Sequence, residues 1–222
     1  MNHKKIRYLA EMGVEAFWYK NSRHLSRFEE NDNSKLDDVK KEIDNCERCD
    51  LSENRGSIVF GSGDEKSRVM IIGEAPGKDE DASGEPFVGR AGKLLDEILF
   101  AMGLSRKDVY ITNTVKCRPP SNRNPNDDEI LSCSDFLDKQ IDSIKPSIII
   151  LLGKVAANRM LGINESMSYF RKKVFDFGNT KIPMFVFYHP AYLLRSPSKK
   201  KNLWDDINFI KGYLRKNGGS LN

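Results

Sequence analysis

Residues 68–95 read RVMIIGEAPGKDEDASGEPFVGRAGKLL, and the change of character at Gly73 decides the fold. RVMIIG (68–73) is a brief run of apolar side chains bounded by polar residues, the pattern of a strand buried on both faces. It opens into a loop rich in glycine and acids, after which 91–102 reads as a helix. Three more runs share the strand pattern: VYITNTV (109–115), SIIILLG (147–153) and MFVFYH (184–189). Helix-like stretches follow at about 127–144, 154–161 and 203–216; Asn126 or Asp127 supplies an N-cap for the first, and Pro146 ends it. This alternation predicts an α/β domain, a three-layer α/β/α sandwich with a central, mostly parallel four-stranded sheet. Each strand runs into an unusual polar segment: GEAPG, NTVKCRPP, LGKVAA and HPAYLLR. Open parallel sheets bind ligands beyond the carboxyl ends of their strands, so the pattern gathers chemically loaded loops at one edge.

The chain has 222 residues, 39% hydrophobic and 31% charged, enough for one globular domain with a sizeable core. We read residues 1–40 as a charged helical extension and 41–222 as a single domain. Within the extension Ile6, Leu9, Ala10, Gly13 and Phe17 recur at roughly helical spacing. The net charge of +4 is too small to announce nucleic-acid binding alone, so any basic surface must come from local clustering. RKK (171–173), RSPSKKK (195–201), Lys116, Arg118 and Arg123 are the candidates. No apolar run is long enough to span a bilayer, and the first twenty residues lack the apolar block of a signal peptide. The expectation is a cytoplasmic protein, where thiols stay reduced and a CxxC reads as a metal or redox site rather than a disulfide.

The polar segments carry the chemistry, each beside a plainer reading. The loop 73–95 has five glycines that let backbone approach a ligand, but it is an ordinary glycine-rich turn on equal terms. It lacks the Gly-Lys-Ser/Thr ending of a phosphate loop and carries Glu74, Asp79, Glu80 and Asp81. Phe87 suits a core as well as a site. Four cysteines, Cys46, Cys49, Cys117 and Cys133, suit tetrahedral zinc or a [4Fe–4S] cluster about equally by spacing. His3 and His24 read as solvated; His189 ends a strand before a proline, a position more often structural than catalytic.

GEAPGKDEDASGEPFVGRAGKLL, TNTVKCRPPSNRNP (112–125) and YHPAYLLRSP (188–197), in that order and with the cysteine quartet, resemble the signatures of the family 4 uracil-DNA glycosylases. The similarity spans about residues 43–216. It implies an enzyme that flips uracil out of single- or double-stranded DNA and hydrolyses its N-glycosidic bond. It also implies a structural [4Fe–4S] cluster on Cys46, Cys49, Cys117 and Cys133. By the same resemblance, Phe87 stacks on uracil and the Asn113 amide reads N3–H and O4. Ala75, Gly77 and Glu80 wall off a thymine methyl, Glu74 handles the attacking water, and His189 hydrogen-bonds O2 of the leaving base. Arg118 and Arg123 contact DNA, and one of Leu193, Leu194 or Arg195 fills the gap left by the flipped base. Glu74 favours family 4 over family 5. No histidine-bearing insertion of the covalently trapping relatives interrupts the second motif, so turnover by a monomer is expected.

The sequence departs from the family pattern in its long N-terminal part, in Ser134 and Asp135 after Cys133, and in SYFRKKVFDFG (168–178). The competing reading is a non-catalytic DNA-binding module of the same fold with a structural metal cluster. Such a module has no need of Glu74, Asn113 and His189 together.

Overall fold

The computed structural model describes residues 33–218 and Leu221. The helical spacing read from Ile6 to Phe17, with His3 and His24, lies outside the described residues. The four expected strands form as β2 (Val69–Gly73), β3 (Val109–Asn113), β4 (Ile148–Leu152) and β6 (Ile182–Phe187). Two short strands, β1 (Ser62–Gly63) and β5 (Phe175–Phe177), complete a six-stranded sheet of order β1-β3-β2-β4-β6-β5. The four expected strands pair in parallel, and the two edge strands pair antiparallel. The expected four-stranded sheet is therefore the centre of a larger one. Its added edges hold only two and three residues, too short to show an alternation of their own.

The central strands are buried along their length, and their side chains alternate between two cores. Met70, Ile72, Tyr110, Ile149, Leu151, Met184 and Val186 point to one face. There they meet α1 (Asn33–Asp44), α4 (Asp127–Ile144) and α5 (Lys154–Leu161). Val69, Ile71, Val109, Ile111, Ile148, Ile150 and Phe185 point to the other, against α3 (Arg90–Met102) and α8 (Lys200–Lys216). Each helix presents an apolar stripe at its own period: Leu95, Ile98, Leu99 and Met102 on α3, and Leu203, Ile207, Ile210 and Leu214 on α8. The result is the expected three-layer α/β/α sandwich. Short helices α2 (Lys78–Ser83), α6 (Met167–Phe170) and α7 (Pro190–Arg195) sit within the connections.

α1 crosses residue 41, where the sequence reading divided the chain, and Leu36, Val39 and Ile43 are buried in the core. The packed chain thus begins at least as early as α1. Asn126 caps α4 as expected, its side chain accepting from the Glu129 amide at 2.8 Å. From β2 the chain moves to β3 on one side and later returns to β4 on the other. This reversal opens a crevice beyond the carboxyl end of β2, the usual ligand position in such sheets.

Candidate active site

A cleft of about 480 Å³ occupies that crevice. Glu74, Ala75, Gly77, Glu80 and Phe87 enter from the loop after β2, Asn113 from the end of β3, Gly153 from after β4 and His189 from after β6. All seven expected base-contacting or catalytic residues therefore line one cavity.

The floor of the cleft depends on a missing side chain. Gly73 and Asn113 are paired at the ends of neighbouring strands. A Cβ at Gly73 would collide with Asn113 Oδ1 and stand 2.6 Å from Phe87 Cζ, so glycine alone lets both groups reach this spot. Phe87 has φ of 55°, a left-handed backbone unusual for an aromatic residue. Arg106 clamps it there by donating to the carbonyls of Pro86 and Phe87, and it also pairs with Asp96 at 2.6 Å. The Phe87 ring lies 5.7 Å from the His189 ring, tilted by 33°. Asn113 is 1% exposed, yet its Oδ1 has no hydrogen-bond partner among the described residues. A buried, unsatisfied acceptor facing a cavity is a strong requirement for a donor from a ligand.

Glu74 and His189 have opposite electrostatic characters. Burial pushes the Glu74 carboxyl above its usual pKa. Its backbone is fixed, the carbonyl accepting from Thr114 Oγ1 at 2.6 Å and the Val115 amide at 3.3 Å. Burial, reinforced by nearby Arg195, lowers His189 to about 4, so the imidazole is neutral near pH 7. Its Nδ1 accepts from the Ala191 amide at 3.2 Å, which puts the ring proton on Nε2. Gly153, at φ of 91°, has room for no side chain here: a Cβ would lie 3.0 Å from that of His189.

Glu80 has a different task from Glu74. Its carboxylate accepts from the amides of Gly77 at 3.1 Å, Val88 at 2.9 Å and Gly89 at 3.0 Å. It thereby closes the loop on itself, with Phe87 held inside the closure. Asp81 anchors the other side by accepting from the Gly56 amide at 2.8 Å.

The second loop corrects part of the basic cluster. Lys116 is wholly buried and cannot meet a phosphate; it donates to Thr112 Oγ1 at 2.6 Å, Asn113 O at 2.7 Å and Gln140 Oε1 at 2.6 Å. Arg123 lines the cleft, but its guanidinium grips Glu129 at 2.6 and 2.8 Å. Arg118 donates to Asn122 Oδ1 at 2.8 Å and stands outside the cleft lining. In α7 the helical phase turns Leu193 into the core at 0% exposure, removing it as the gap-filling wedge. Leu194 is half-buried, and Arg195 is exposed on the cleft. Tyr192 also lines the cleft and was not anticipated; its position three residues before Arg195 puts both on one face of α7.

Cys46, Cys49, Cys117 and Cys133 surround a second, narrow cavity walled by Ile43, Leu51 and Val115. All four are free thiols, and no group among the described residues is arranged to hold a single metal ion. A tetrahedral zinc would need all four sulfurs within about 2.3 Å of one point, whereas a multi-iron cluster needs them spread around a space. Burial pushes Cys117 up to about 11 against the pull of Arg55, and it raises Cys49 and Cys133 as well. Arg55 reaches Cys117 Sγ at 3.6 Å and the Cys46 carbonyl at 2.6 Å, so a cation already stands beside the sulfurs. Four thiols, an apolar wall and a neighbouring cation fit an iron–sulfur cluster.

Comparison with known proteins agrees with this geometry. A model of the uracil DNA glycosylase superfamily matches residues 60–209. The type-4 uracil-DNA glycosylase of Archaeoglobus fulgidus is 42% identical over 181 residues, 79% of this chain and 91% of that protein. That of Saccharolobus solfataricus is 45% identical over 186 residues, 81% of this chain and 86% of that protein. That of Thermotoga maritima is 41% identical over 185 residues, 81% of this chain and 95% of that protein. With a superfamily match across most of its sheet and such identity over nearly the full length of these relatives, the chain belongs to the type-4 uracil-DNA glycosylases.

Proposed function

We propose that this glycosylase removes uracil from DNA by the concerted work of Glu74, Asn113, Phe87 and His189 in the cleft beyond β2. The observation that carries the assignment is the buried Asn113 Oδ1 without a partner, beside a ring platform and a half-buried carboxylate. Uracil N3–H satisfies that oxygen, and the same amide donates to O4; cytosine offers the opposite polarity and leaves both unpaired. Phe87 stacks on the flipped ring. Ala75, Gly77 and Glu80 form the wall that a thymine methyl would strike.

In the reaction the C1′–N1 bond breaks and its electron pair leaves with the base. Positive charge builds on the sugar, where the Glu74 carboxylate stabilises it and takes a proton from the water that adds to C1′. Negative charge spreads to uracil O2, which the neutral His189 meets with its Nε2–H. The products are free uracil and an abasic site. Arg123 and Arg195 at the rim, with Arg118, Leu194 and the lysines after α7, position the strand through its phosphates and the vacated gap. A [4Fe–4S] cluster on Cys46, Cys49, Cys117 and Cys133 ties the segment after α1 to the loop and helix behind Asn113, with no electron transfer in the hydrolysis. The protein acts as a monomer in the cytoplasm; no described helix is long and apolar enough to cross a membrane. A non-catalytic module would have no use for a half-buried carboxylate, raised in pKa, facing the base pocket.

The test is excision from an oligonucleotide containing one uracil, with thymine and cytosine controls. Glu74→Gln lowers kcat by about 10²–10⁴-fold while affinity for uracil-containing DNA stays. Unchanged turnover would remove Glu74 from the mechanism.

A further inference from the structure

A second cleft, of about 460 Å³, adjoins the first and shares Gly153, Lys154, His189 and Tyr192 with it. Tyr192 lines both clefts and is 37% exposed, so one face of its ring is open to a ligand. Its ring stacks on that of Tyr188 at 5.2 Å and 16°. The Arg171 guanidinium lies 5.3 Å from the Tyr188 ring and is anchored to buried Asp206 at 2.7 Å. The tyrosine pair is thus a braced platform rather than a loose surface side chain. Lys154 and Lys199 flank the cleft, neither makes an ion pair among the described residues, and no carboxylate is among its lining residues.

We propose that this cleft holds the nucleotide next to the flipped uridine, its base stacked on Tyr192 and its phosphates drawn to Lys154 and Lys199. The inference rests on uracil excision in the first cleft. A neighbouring nucleotide is covalently bound to leave that cleft within one phosphodiester, and the acid-free space past Tyr192 is continuous with it. Stacking on an aromatic ring serves any base, so the subsite is tolerant of sequence. It also replaces the stacking that flipping destroys, which equips the enzyme for single strands.

The experiment uses the cluster-replete protein and single-stranded oligonucleotides with one uracil. The base on its 5′ or 3′ side is replaced in turn by an abasic spacer. In the unmodified enzyme the spacer on one side lowers kcat/KM about tenfold, the size of one base–ring stack. Tyr192→Leu loses a similar factor on the complete strand and becomes indifferent to the spacer, whereas Tyr192→Phe keeps the sensitivity. Spacers without effect in the unmodified enzyme, or an equal spacer effect in Tyr192→Leu, would overturn the subsite while leaving excision intact. As a readout independent of turnover, 2-aminopurine at the sensitive position loses fluorescence on binding the unmodified enzyme and keeps it with Tyr192→Leu; equal quenching by both would also overturn it. Lys199→Ala lowers the salt slope of binding by about one, as loss of a single phosphate contact requires. Absence of uracil excision altogether would instead refute the reading of the first cleft, and the fluorescence arm would still judge the second.

Discussion

At the scale of single residues, two carboxylates six positions apart have separate work because their partners differ. Glu80 is saturated by three amides, whereas Glu74 is raised by burial and faces the cleft. In the proposed mechanism the carboxylate is the active form of Glu74, so kcat/KM rises with pH as Glu74 ionises, above the usual carboxylate range, and then levels. A pH–rate profile of kcat/KM checks this: the acid limb belongs to Glu74 and disappears in Glu74→Gln, and a limb unchanged by that substitution would contradict the assignment. His189, held down at about 4, is neutral across the plateau. For stability the sign is the reverse of a paired histidine: the unfolded chain takes up this proton first, so its contribution weakens as pH falls from about 6.5 towards 4. Lys116 was legible only as a basic residue among others. What the sequence could not disclose is that Thr112, the Asn113 carbonyl and Gln140 would converge on it. Lys116→Met removes three buried hydrogen bonds, to Thr112 Oγ1, the Asn113 carbonyl and Gln140 Oε1, and costs about 3 kcal/mol. Melting should therefore come on the order of 10 °C earlier; an unaltered Tm would mean that the ammonium is dispensable.

At the scale of elements, the strands that build the site were readable because all four central ones are short, largely buried apolar runs ending in polar loops. The edge strands Ser62–Gly63 and Phe175–Phe177 were not, since residues distant in sequence create them. α1 carried its signal in Leu36, Val39 and Ile43, but intervening charges concealed it inside an acidic stretch. Likewise the turn of α7 that sends Leu193 inward and Tyr192 outward is a matter of helical phase, which the motif YHPAYLLRSP does not state. The pairing of β2 with β3 leads to a sharper expectation. Gly73→Ala pushes a methyl group against Asn113 Oδ1 and Phe87, so uracil excision falls at least 10²-fold. Because the change lies at a strand end, the brown colour expected of the proposed cluster is retained. Excision close to the original rate would show that the floor of the cleft yields.

At the scale of the whole molecule, the cysteines join parts of the chain far apart in sequence. Cys46 and Cys49 follow α1, Cys117 lies four residues past Asn113, and Cys133 is on α4. A cross-link closing loops of tens of residues removes about 4 kcal/mol of unfolded-state freedom. Cys46→Ser should bleach the protein, lower Tm on the order of 10 °C and open the stretch 114–126 to proteolysis. Colour lost with Tm and protease resistance unchanged would show that packing alone holds the two halves. The four cysteines were legible and the structure gathers them around one cavity; the preference for iron over zinc is what the family resemblance implies, because spacing alone suits both.

The closure made by Glu80 has a consequence for how base preference can change over generations. Both carboxylate oxygens are hooked to backbone amides on either side of Phe87. If Phe87 stacks on the base as proposed, a substitution at Glu80 that enlarged the slot for a methylated base would also unhook that ring. Tolerance and competence are mechanically linked at this residue. On that proposal a lineage could not drift to thymine by single steps here without passing through a disabled ancestor.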